Sequence, residues 1–319
     1  MLTLFTTAKP FRGHIGMIQR NALGSWKRLH PDVEVILFGN DEGAAEICRE
    51  FGLRHEPKIE LGGAGTKRLD SIFGLAQQMA RHDFVCYANC DVILTRDFRG
   101  AIERLRAWQP AFLMVGRRWD TDVTGPLNFA APDWQEKIVQ RAKSEGVQRF
   151  YHNIDYFLFP RGMYREIPPL VIGRIWWDHW LVWRAGALGV PVVDASDAVC
   201  AVHQNHDYAY HAQGVQGVSD DEEARRNFQL AGGYRHLRTI EDAPFRLAAR
   251  GIVPHRFYWL GPSKRRVRAV WKSVRGFFRT KLWHPLLNAT RPVRHVLGLK
   301  QENVPSVARG RARRHPMDV

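Results

Sequence analysis

Cysteines and long apolar runs are scarce in this sequence of 319 residues. The four cysteines form no Cys-x-x-Cys pair, and Cys86 and Cys90 lie along one predicted strand and its exit, a poor geometry for a disulfide. No run reaches the roughly 18 apolar residues of a membrane span, and the chain enters a strand at Leu2 without a secretory signal. These absences predict buried thiols in a reducing compartment and a body that is cytosolic or faces the cytosol.

Acidic residues are nearly missing from the end of the chain. From His255 to Val319 there are sixteen Lys and Arg, but the acids are only Glu302 and Asp318. The first 254 residues are close to neutral, although the net charge of the whole chain is +15. The positive charge therefore belongs to a tail, and we predict a globular domain at 1–254 followed by a basic tail at 255–319.

The sequence also lacks internal repeats and a phosphate-binding glycine loop. The glycine-rich stretch Gly62 to Gly65 has neither the spacing of a Walker loop nor a clear Rossmann fingerprint, and we interpret it as a flexible connection.

Strand and helix patterns alternate through the first half of the chain. Leu2 to Thr7 and Val33 to Phe38 have strand patterns, and Gly13 to Leu29 and Glu42 to Phe51 have the spacing of helices. This alternation predicts an α/β domain on a Rossmann-type, mostly parallel sheet flanked by helices. Farther along, Ser219 to Gly251 is polar and is predicted to be helical.

The stretch Phe84 to Leu94 contains the most informative motif of the sequence. Phe84 to Ala88 is predicted to be a buried strand that ends in Asn89-Cys90-Asp91. Ligands of open α/β sheets bind at the C-terminal ends of strands, and residues two apart in an extended segment project from the same side. Oxygens of Asn89 and Asp91 placed there suit a divalent cation, whereas the alternative for Asp91 is a simple turn former.

Strand, Asn89-Cys90-Asp91 and then Val-Ile-Leu resemble the Asp-x-Asp motif of GT-A-fold glycosyltransferases, with Asn in place of the first Asp. The resemblance implies a GT-A-like fold and a divalent cation, Mn²⁺ or Mg²⁺, that Asp91 and Asn89 hold against a nucleoside-diphosphate sugar. It also implies a metal ligand from a downstream histidine, and the spacing leaves His203, His206 and His211 open.

The same resemblance suggests where the donor nucleotide binds. It implies that the nucleoside contacts the ends of the first strands and the start of the helix before the central strand. The residues so placed are Thr6, Thr7, Gly39, Asp41, Lys67, Arg68 and Asp70, together with Asn89. Each of them can also be explained as an ordinary turn or helix-start residue.

Two acids farther along the chain are candidates for the chemistry. Asp155 precedes a buried strand, and the resemblance implies that it orients the donor sugar. Asp178 lies among three tryptophans, whose rings stack on sugars and exclude water, which raises the pKa of a neighbouring carboxylate. The resemblance implies that Asp178 is the general base, and the alternative is a helix cap. The long connection from Gly116 to about Arg149 is predicted to cover the substrate.

The basic tail contains an amphipathic pattern. Ser263 to Trp283 places aromatic and aliphatic residues on one helical face and eight cations largely around the other, which predicts a helix on an anionic membrane surface. Packing of this helix on the body and nucleic-acid binding are the alternatives, in that order. Asn303 to Val319 is predicted to be disordered.

The expected function is therefore glycosyl transfer from a nucleoside-diphosphate sugar to an acceptor hydroxyl, with a cell-envelope or lipid-linked glycan as acceptor. One rival is a sugar nucleotidyltransferase, which would carry a Gly-x-Gly loop where this chain has Thr6 to Pro10. The other is a non-catalytic nucleic-acid-binding protein that uses the tail.

Overall fold

The structure is a computed structural model that describes residues 2–207, 218–219 and 221–255. The chain divides into two units, Met1–His255 and Arg256–Val319, and the described residues belong to the first. The predicted tail helix and His211 lie outside the described residues.

Thirteen strands and seven α-helices are present in the part of the chain that the structure describes. The strands are β1 (Thr3–Thr7), β2 (Glu34–Phe38), β3 (Arg54–Glu56), β4 (Phe84–Ala88), β5 (Val92–Ile93), β6 (Leu113–Val115), β7 (Arg118–Thr121), β8 (Val147–Gln148), β9 (Tyr156–Pro160), β10 (Val192–Asp194), β11 (Ala201–Gln204), β12 (Phe245–Ala248) and β13 (Gly251–Pro254). The helices are α1 (Gly13–Lys27), α2 (Ala44–Phe51), α3 (Leu69–Met79), α4 (Arg96–Trp108), α5 (Trp134–Glu145), α6 (Trp177–Ala187) and α7 (Glu222–Leu230).

Nine strands form the larger sheet in the order β13-β12-β10-β6-β9-β4-β1-β2-β3. Most neighbours run parallel, and β9 is antiparallel to both β4 and β6. The fold class is therefore the predicted one, a mostly parallel α/β sheet flanked by helices. Because β1, β2 and β4 are parallel, their carboxyl ends meet at one edge.

Burial on both faces explains why these strands read as apolar runs. Leu4 and Cys86 pack into one hydrophobic cluster, whereas Phe5 and Tyr87 pack into a second cluster. In the second cluster, the ring of Phe73 from α3 stacks on Phe159 with centroids 5.7 Å apart. The four cysteines are buried and unpaired, as predicted, and burial raises the pKa of Cys48 to about 11.

A second sheet has the order β5-β11-β7-β8, and Nε1 of Trp26 in α1 donates to the carbonyl of Val92 in its strand β5 over 2.9 Å. It differs from the predicted arrangement, in which Gly116 to Arg149 was a long connection over the substrate. Part of that connection is β7, which pairs in parallel with β11, and another part is helix α5. Strands of two to four residues with mixed polar side chains give almost no periodic signal, which explains why the second sheet was missed.

The segment from Ser219 to Gly251 is helical only in part. Helix α7 begins after Asp221, whose carboxylate accepts a hydrogen bond of 2.8 Å from the main-chain nitrogen of Ala224. Two short 3₁₀ turns follow, and the segment then enters the β12–β13 hairpin. Among the described residues, no helix is both long and apolar enough to cross a membrane.

Candidate active site

The loop after β4 holds Asp91 in a turn. The main-chain nitrogen of Val92 donates to the carbonyl of Asn89 over 3.1 Å, so the segment is turned rather than extended. Gln204 fixes this turn, because its main-chain nitrogen and its side-chain Nε2 both donate to the carbonyl of Asp91, over 3.1 and 3.0 Å. The position of Asp91 therefore depends on a strand more than 100 residues later in the chain.

Asp91, His203 and His206 converge in one cluster. One ligand atom from each residue lies within 4.8 Å of the other two. Nε2 of His206 is 3.1 Å from Oδ2 of Asp91, and Nε2 of His203 is 3.9 Å from the same oxygen. Oδ1 of Asp91 is buried and has no hydrogen-bond partner among the described residues. A carboxylate and two imidazoles, with a buried oxygen left over, fit a divalent metal ion.

The charges around Asp91 favour its ionised form. Burial by itself would raise the pKa of Asp91, but His203, His206 and Lys9 together outweigh burial, and the pKa is lowered. A carboxylate that stays ionised in a buried position is suited to bind a cation. The sequence proposed His203 and His206 as alternatives, and the structure brings both of them to Asp91.

Asp120 contacts the ring nitrogen of His203 that faces away from Asp91. The register of the small sheet places His203 of β11 directly beside Asp120 of β7. Nδ1 of His203 is 3.1 Å from Oδ1 of Asp120. Burial would raise the pKa of Asp120, but the contact with His203 and the charges of Arg118 and Arg149 lower it. Sequence reasoning missed Asp120, because it lay in the presumed connection.

Asp155 is buried in a network of hydrogen bonds. Since Ala88 pairs with Tyr156 across β4 and β9, the next residues outward, Asn89 and Asp155, lie side by side. Nδ2 of Asn89 donates to Oδ1 of Asp155 over 2.9 Å, and Nη1 of Arg118 donates to both carboxylate oxygens over 3.0 and 2.8 Å. The roles of Asn89 as a metal ligand and Asp155 as a sugar contact stay predictions.

Two lysines lie near this edge of the sheet. Nζ of Lys67 is 2.6 Å from Oδ2 of Asp41 and also donates to the carbonyl of Ala8. Lys9 follows β1, and burial lowers its pKa against the opposing charge of Asp91. The sequence indicated Lys67 and Asp41 but missed Lys9, whose only signal was its place just after a strand end.

Glycine at position 39 lets the Lys67–Asp41 pair approach the end of β2. Gly39 has a φ of +96°, a conformation that residues with a Cβ rarely adopt. A Cβ there would lie 3.2 Å from Oδ2 of Asp41 and 3.3 Å from Cε of Lys67. Thr6 and Thr7 end β1 beside this group, and the hydroxyl of Thr6 donates to the carbonyl of Thr7.

Arg68 and Asp70 are not brought to this cluster. Nη2 of Arg68 is 2.5 Å from Oδ2 of Asp70, and the two side chains pair with each other at the start of α3. Asp70 instead lines an open cleft of about 670 Å³ together with Trp183 and His236. Their predicted contact with a nucleotide stays a prediction.

Asp178 lies in the first turn of α6. Burial raises the pKa of its carboxylate, which Nε2 of His179 approaches to 3.8 Å, and the charge of Asp155 adds to the increase. The residue before the helix, Trp176, has a φ of +88° and is the one non-glycine residue with positive φ in the described part of the chain. Its ring packs against His179, Phe228 and Tyr234.

No protein-family model and no curated protein sequence matches this chain. Among solved structures, TarS 1–349 of S. aureus is similar at 10% identity and a TM-score of 0.44, over 64% of this chain and 60% of that one. The mannosyltransferase PcManGT from Pyrobaculum calidifontis, in complex with GDP-Man and Mn²⁺, is similar at 14% identity and a TM-score of 0.41, over 66% and 59%.

A third similar structure is glucosyl-3-phosphoglycerate synthase from Mycobacterium tuberculosis in complex with Mg²⁺ and UDP, at 11% identity and a TM-score of 0.44, over 73% and 80% of the two chains. The chain thus spans about 60% of the length of the first two structures. At TM-scores below 0.5, these similarities establish no activity for this chain.

Proposed function

We propose that the protein is a metal-assisted glycosyltransferase that moves a sugar from a nucleoside-diphosphate sugar to an acceptor hydroxyl. The observation that supports this most directly is the convergence of Asp91, His203 and His206 at the carboxyl edge of the parallel strands. That edge is where open α/β sheets bind nucleotides.

A divalent ion held by Asp91, His203 and His206 would neutralise negative charge on the leaving diphosphate. Two imidazoles and one carboxylate favour a first-row transition ion such as Mn²⁺ over Mg²⁺, which prefers oxygen ligands. We therefore propose Mn²⁺ as the preferred ion of this site.

Lys9 and Lys67 have the charge and position to contact the diphosphate. Lys9 is mostly buried beside the opposing charge of Asp91 and the like charge of Lys67. The free-energy cost of keeping these two lysines charged in a buried position falls when an anion binds between them. Lys67 would exchange part of its contact with Asp41 for a phosphate oxygen.

Asp178 is the proposed general base. Its raised pKa brings it closer to the working pH, where a carboxylate accepts a proton from an acceptor hydroxyl more effectively. The aromatic side chains of Trp176 and Trp177 beside it would limit the access of water. Asp155, through Arg118 and Asn89, would hold the strand ends on the donor side.

The acceptor and the location of the enzyme are proposed from the sequence of the tail. Its amphipathic pattern supports a cytoplasmic protein that binds the inner face of a membrane peripherally, with a cell-envelope or lipid-linked glycan as acceptor.

The donor site is tested by calorimetric titration with UDP and GDP, each with and without Mn²⁺. We expect one nucleotide to bind in a Mn²⁺-dependent way. Asp91→Ala should weaken this binding by more than roughly 100-fold, because the mutation of even an outer-shell partner lowers metal affinity by about 10- to 100-fold. Asp91→Asn, which keeps the size of the side chain, is expected to weaken binding in the same direction.

Asp83→Asn is the matched control. Asp83 lies at the opposite end of β4, where its exposed carboxylate is 3.5 Å from Arg161, and its loss should leave nucleotide binding unchanged. If folded wild-type protein binds neither nucleotide with or without Mn²⁺, the proposed function is wrong.

A further inference from the structure

We infer that Asp120 is a positioning residue that sets the tautomer of His203, so that Nε2 of the ring is free to bind the metal. This inference takes one point from the proposed function, namely that the group bound by Nε2 is a metal ion. It assigns a role to a residue on which the sequence resemblance is silent.

Strand register brings the two residues together. β11 and β7 run parallel, and His203 and Asp120 are direct partners in that pair. On its other side, His203 pairs with Val92, the residue that follows Asp91. His203 is therefore held between the strand of Asp120 and the strand that begins beside Asp91.

The two ring nitrogens of His203 face different groups. Nδ1 is 3.1 Å from Oδ1 of Asp120, whereas Nε2 faces Oδ2 of Asp91 at 3.9 Å. His203 is 6% exposed, so water cannot easily replace either contact. Nδ1 forms no hydrogen bond among the described residues, and the carboxylate of Asp120 is the acceptor within its reach. Distance and burial together make Asp120 the natural acceptor.

Asp120 is itself fixed in place. Nε of Arg118 donates to Oδ1 of Asp120 over 2.8 Å, and Nε of Arg149 lies 3.3 Å from Oδ2. Arg118 also binds Asp155, so the support of His203 continues to Asp155 across the end of the larger sheet. A carboxylate held by these two guanidinium groups cannot turn away from the imidazole without losing the hydrogen bond from Arg118 and the ion pair with Arg149.

This arrangement decides which nitrogen carries the proton. A neutral imidazole has one N–H and one lone pair, and a carboxylate beside Nδ1 favours the proton there. The lone pair then lies on Nε2, directed toward Asp91 and the proposed ion. Partners of this kind orient metal-binding histidines and increase the basicity of the ligand nitrogen.

The first measurement is the affinity for Mn²⁺ alone, from the electron paramagnetic resonance signal of the free ion, without nucleotide. We expect Asp120→Ala to bind Mn²⁺ about 10- to 100-fold more weakly than wild type. Asp120→Asn keeps an acceptor oxygen for Nδ1 and should recover most of this loss, whereas Asp83→Asn should not change the affinity.

The second measurement reads the tautomer directly. In protein labelled with ¹⁵N-histidine and held at alkaline pH, where imidazoles are neutral and a tautomer is defined, the ring nitrogens of His203 are assigned by comparison with His203→Gln. We expect the Nδ1–H form in wild type and a mixture, or the Nε2–H form, in Asp120→Ala. Circular dichroism of each variant shows that it is folded.

The two readouts separate the possible failures. If wild type binds no Mn²⁺ and neither nucleotide, but His203 is in the Nδ1–H form that Asp120→Ala abolishes, the positioning role stands and the proposed function fails. An Nε2–H form in wild type overturns the positioning role, even if Asp120→Ala does not fold. Equal Mn²⁺ affinity and an unchanged tautomer in folded Asp120→Ala overturn it as well.

Discussion

Asp178 combines burial with a place in the first turn of a helix, and the two have opposite effects on its charge. Burial is the largest influence and raises the pKa, while the charge of His179 and the main-chain hydrogen bonds at the helix start lower it by less. A carboxylate in this situation is ionised less readily than an exposed one, and it binds a proton more strongly in the folded state than in the unfolded state.

The residue-scale prediction concerns Asp178 and pH. As a base, Asp178 acts when it is ionised, so kcat/KM should fall as the pH drops through its raised pKa, at a pH above the value of about 4 typical of Asp. Asp178→Asn should lower kcat by about 10²- to 10⁴-fold and leave Mn²⁺-dependent nucleotide binding intact. Rate profiles and calorimetry measure the two effects.

A stability measurement on the same variant checks the cause. Because the folded-state pKa is raised, ionised Asp178 destabilises the fold at pH values above that pKa. Asp178→Asn should therefore have a higher Tm than wild type at neutral pH, and the difference should shrink as the pH falls and wild-type Asp178 binds its proton. If kcat/KM of Asp178→Asn falls toward low pH in the same way as that of wild type, Asp178 is not the base.

Site residues could be predicted from the sequence where a polar side chain lies next to a clear strand pattern or close to another candidate ligand. Asp91 follows an unbroken apolar strand, and His203 and His206 lie close together in sequence. Asp120 and Lys9 were not predictable, because each is a single charged residue whose importance comes from a neighbour far away in the chain.

At the scale of elements, α6 begins in an unusual way. Trp176 caps it with φ +88° and ψ −26°, a left-handed conformation that costs a residue with a Cβ roughly 1–2 kcal/mol. Rings from α7 and the following turn pack against the indole and oppose this cost. Such strain next to a proposed base suggests that the turn serves to aim Asp178.

The element-scale prediction compares Trp176→Gly with Trp176→Ala. Both variants lose the indole contacts, but only glycine accepts the positive φ without strain, so Trp176→Gly should be the more stable by about 1 kcal/mol. Urea unfolding measures the difference. Arg12, which precedes α1 with φ −118°, is the matched control, and there the glycine and alanine variants should differ by less than at Trp176, because only the preference of the N-cap for glycine over alanine separates them. An equal difference at both positions would contradict the strain at Trp176.

At the scale of the whole molecule, charge separates the chain into a nearly neutral body and a basic end. Cations near an anionic bilayer contribute about 1 kcal/mol each, and salt weakens them. The tail lies outside the described residues, so its membrane role is a prediction from sequence.

The whole-molecule prediction is that the full chain sediments with vesicles that contain phosphatidylserine, and that this binding falls as salt is raised. Changing four tail cations to Gln should weaken partitioning by up to roughly 1,000-fold at low salt; these are Lys264, Arg265, Arg266 and Arg268. The control changes four exposed body cations, Arg49, Lys58, Lys137 and Lys143, which should have little effect. Tail-dependent binding to DNA with none to vesicles would favour the nucleic-acid alternative instead.

The amino-acid sequence by itself determined the α/β class, the strands β1, β2 and β4, the helices α1 and α2, and the place of Asp91 directly after a buried strand. These features come from local periodicity, because a buried parallel strand and an amphipathic helix each repeat a pattern over consecutive residues.

Only the tertiary structure decided which polar side chains meet. The strand pairs of the small sheet join residues between 27 and 111 positions apart. The pairing of His203 with Asp120 and the bonds of Asp155 to Arg118 and Asn89 join residues between 37 and 83 positions apart. Strand register sets these contacts, and register depends on how whole faces of a sheet pack rather than on any short run of residues. For that reason the sequence located the edge of the proposed metal site, whereas the fold selected the residues that lie beside it.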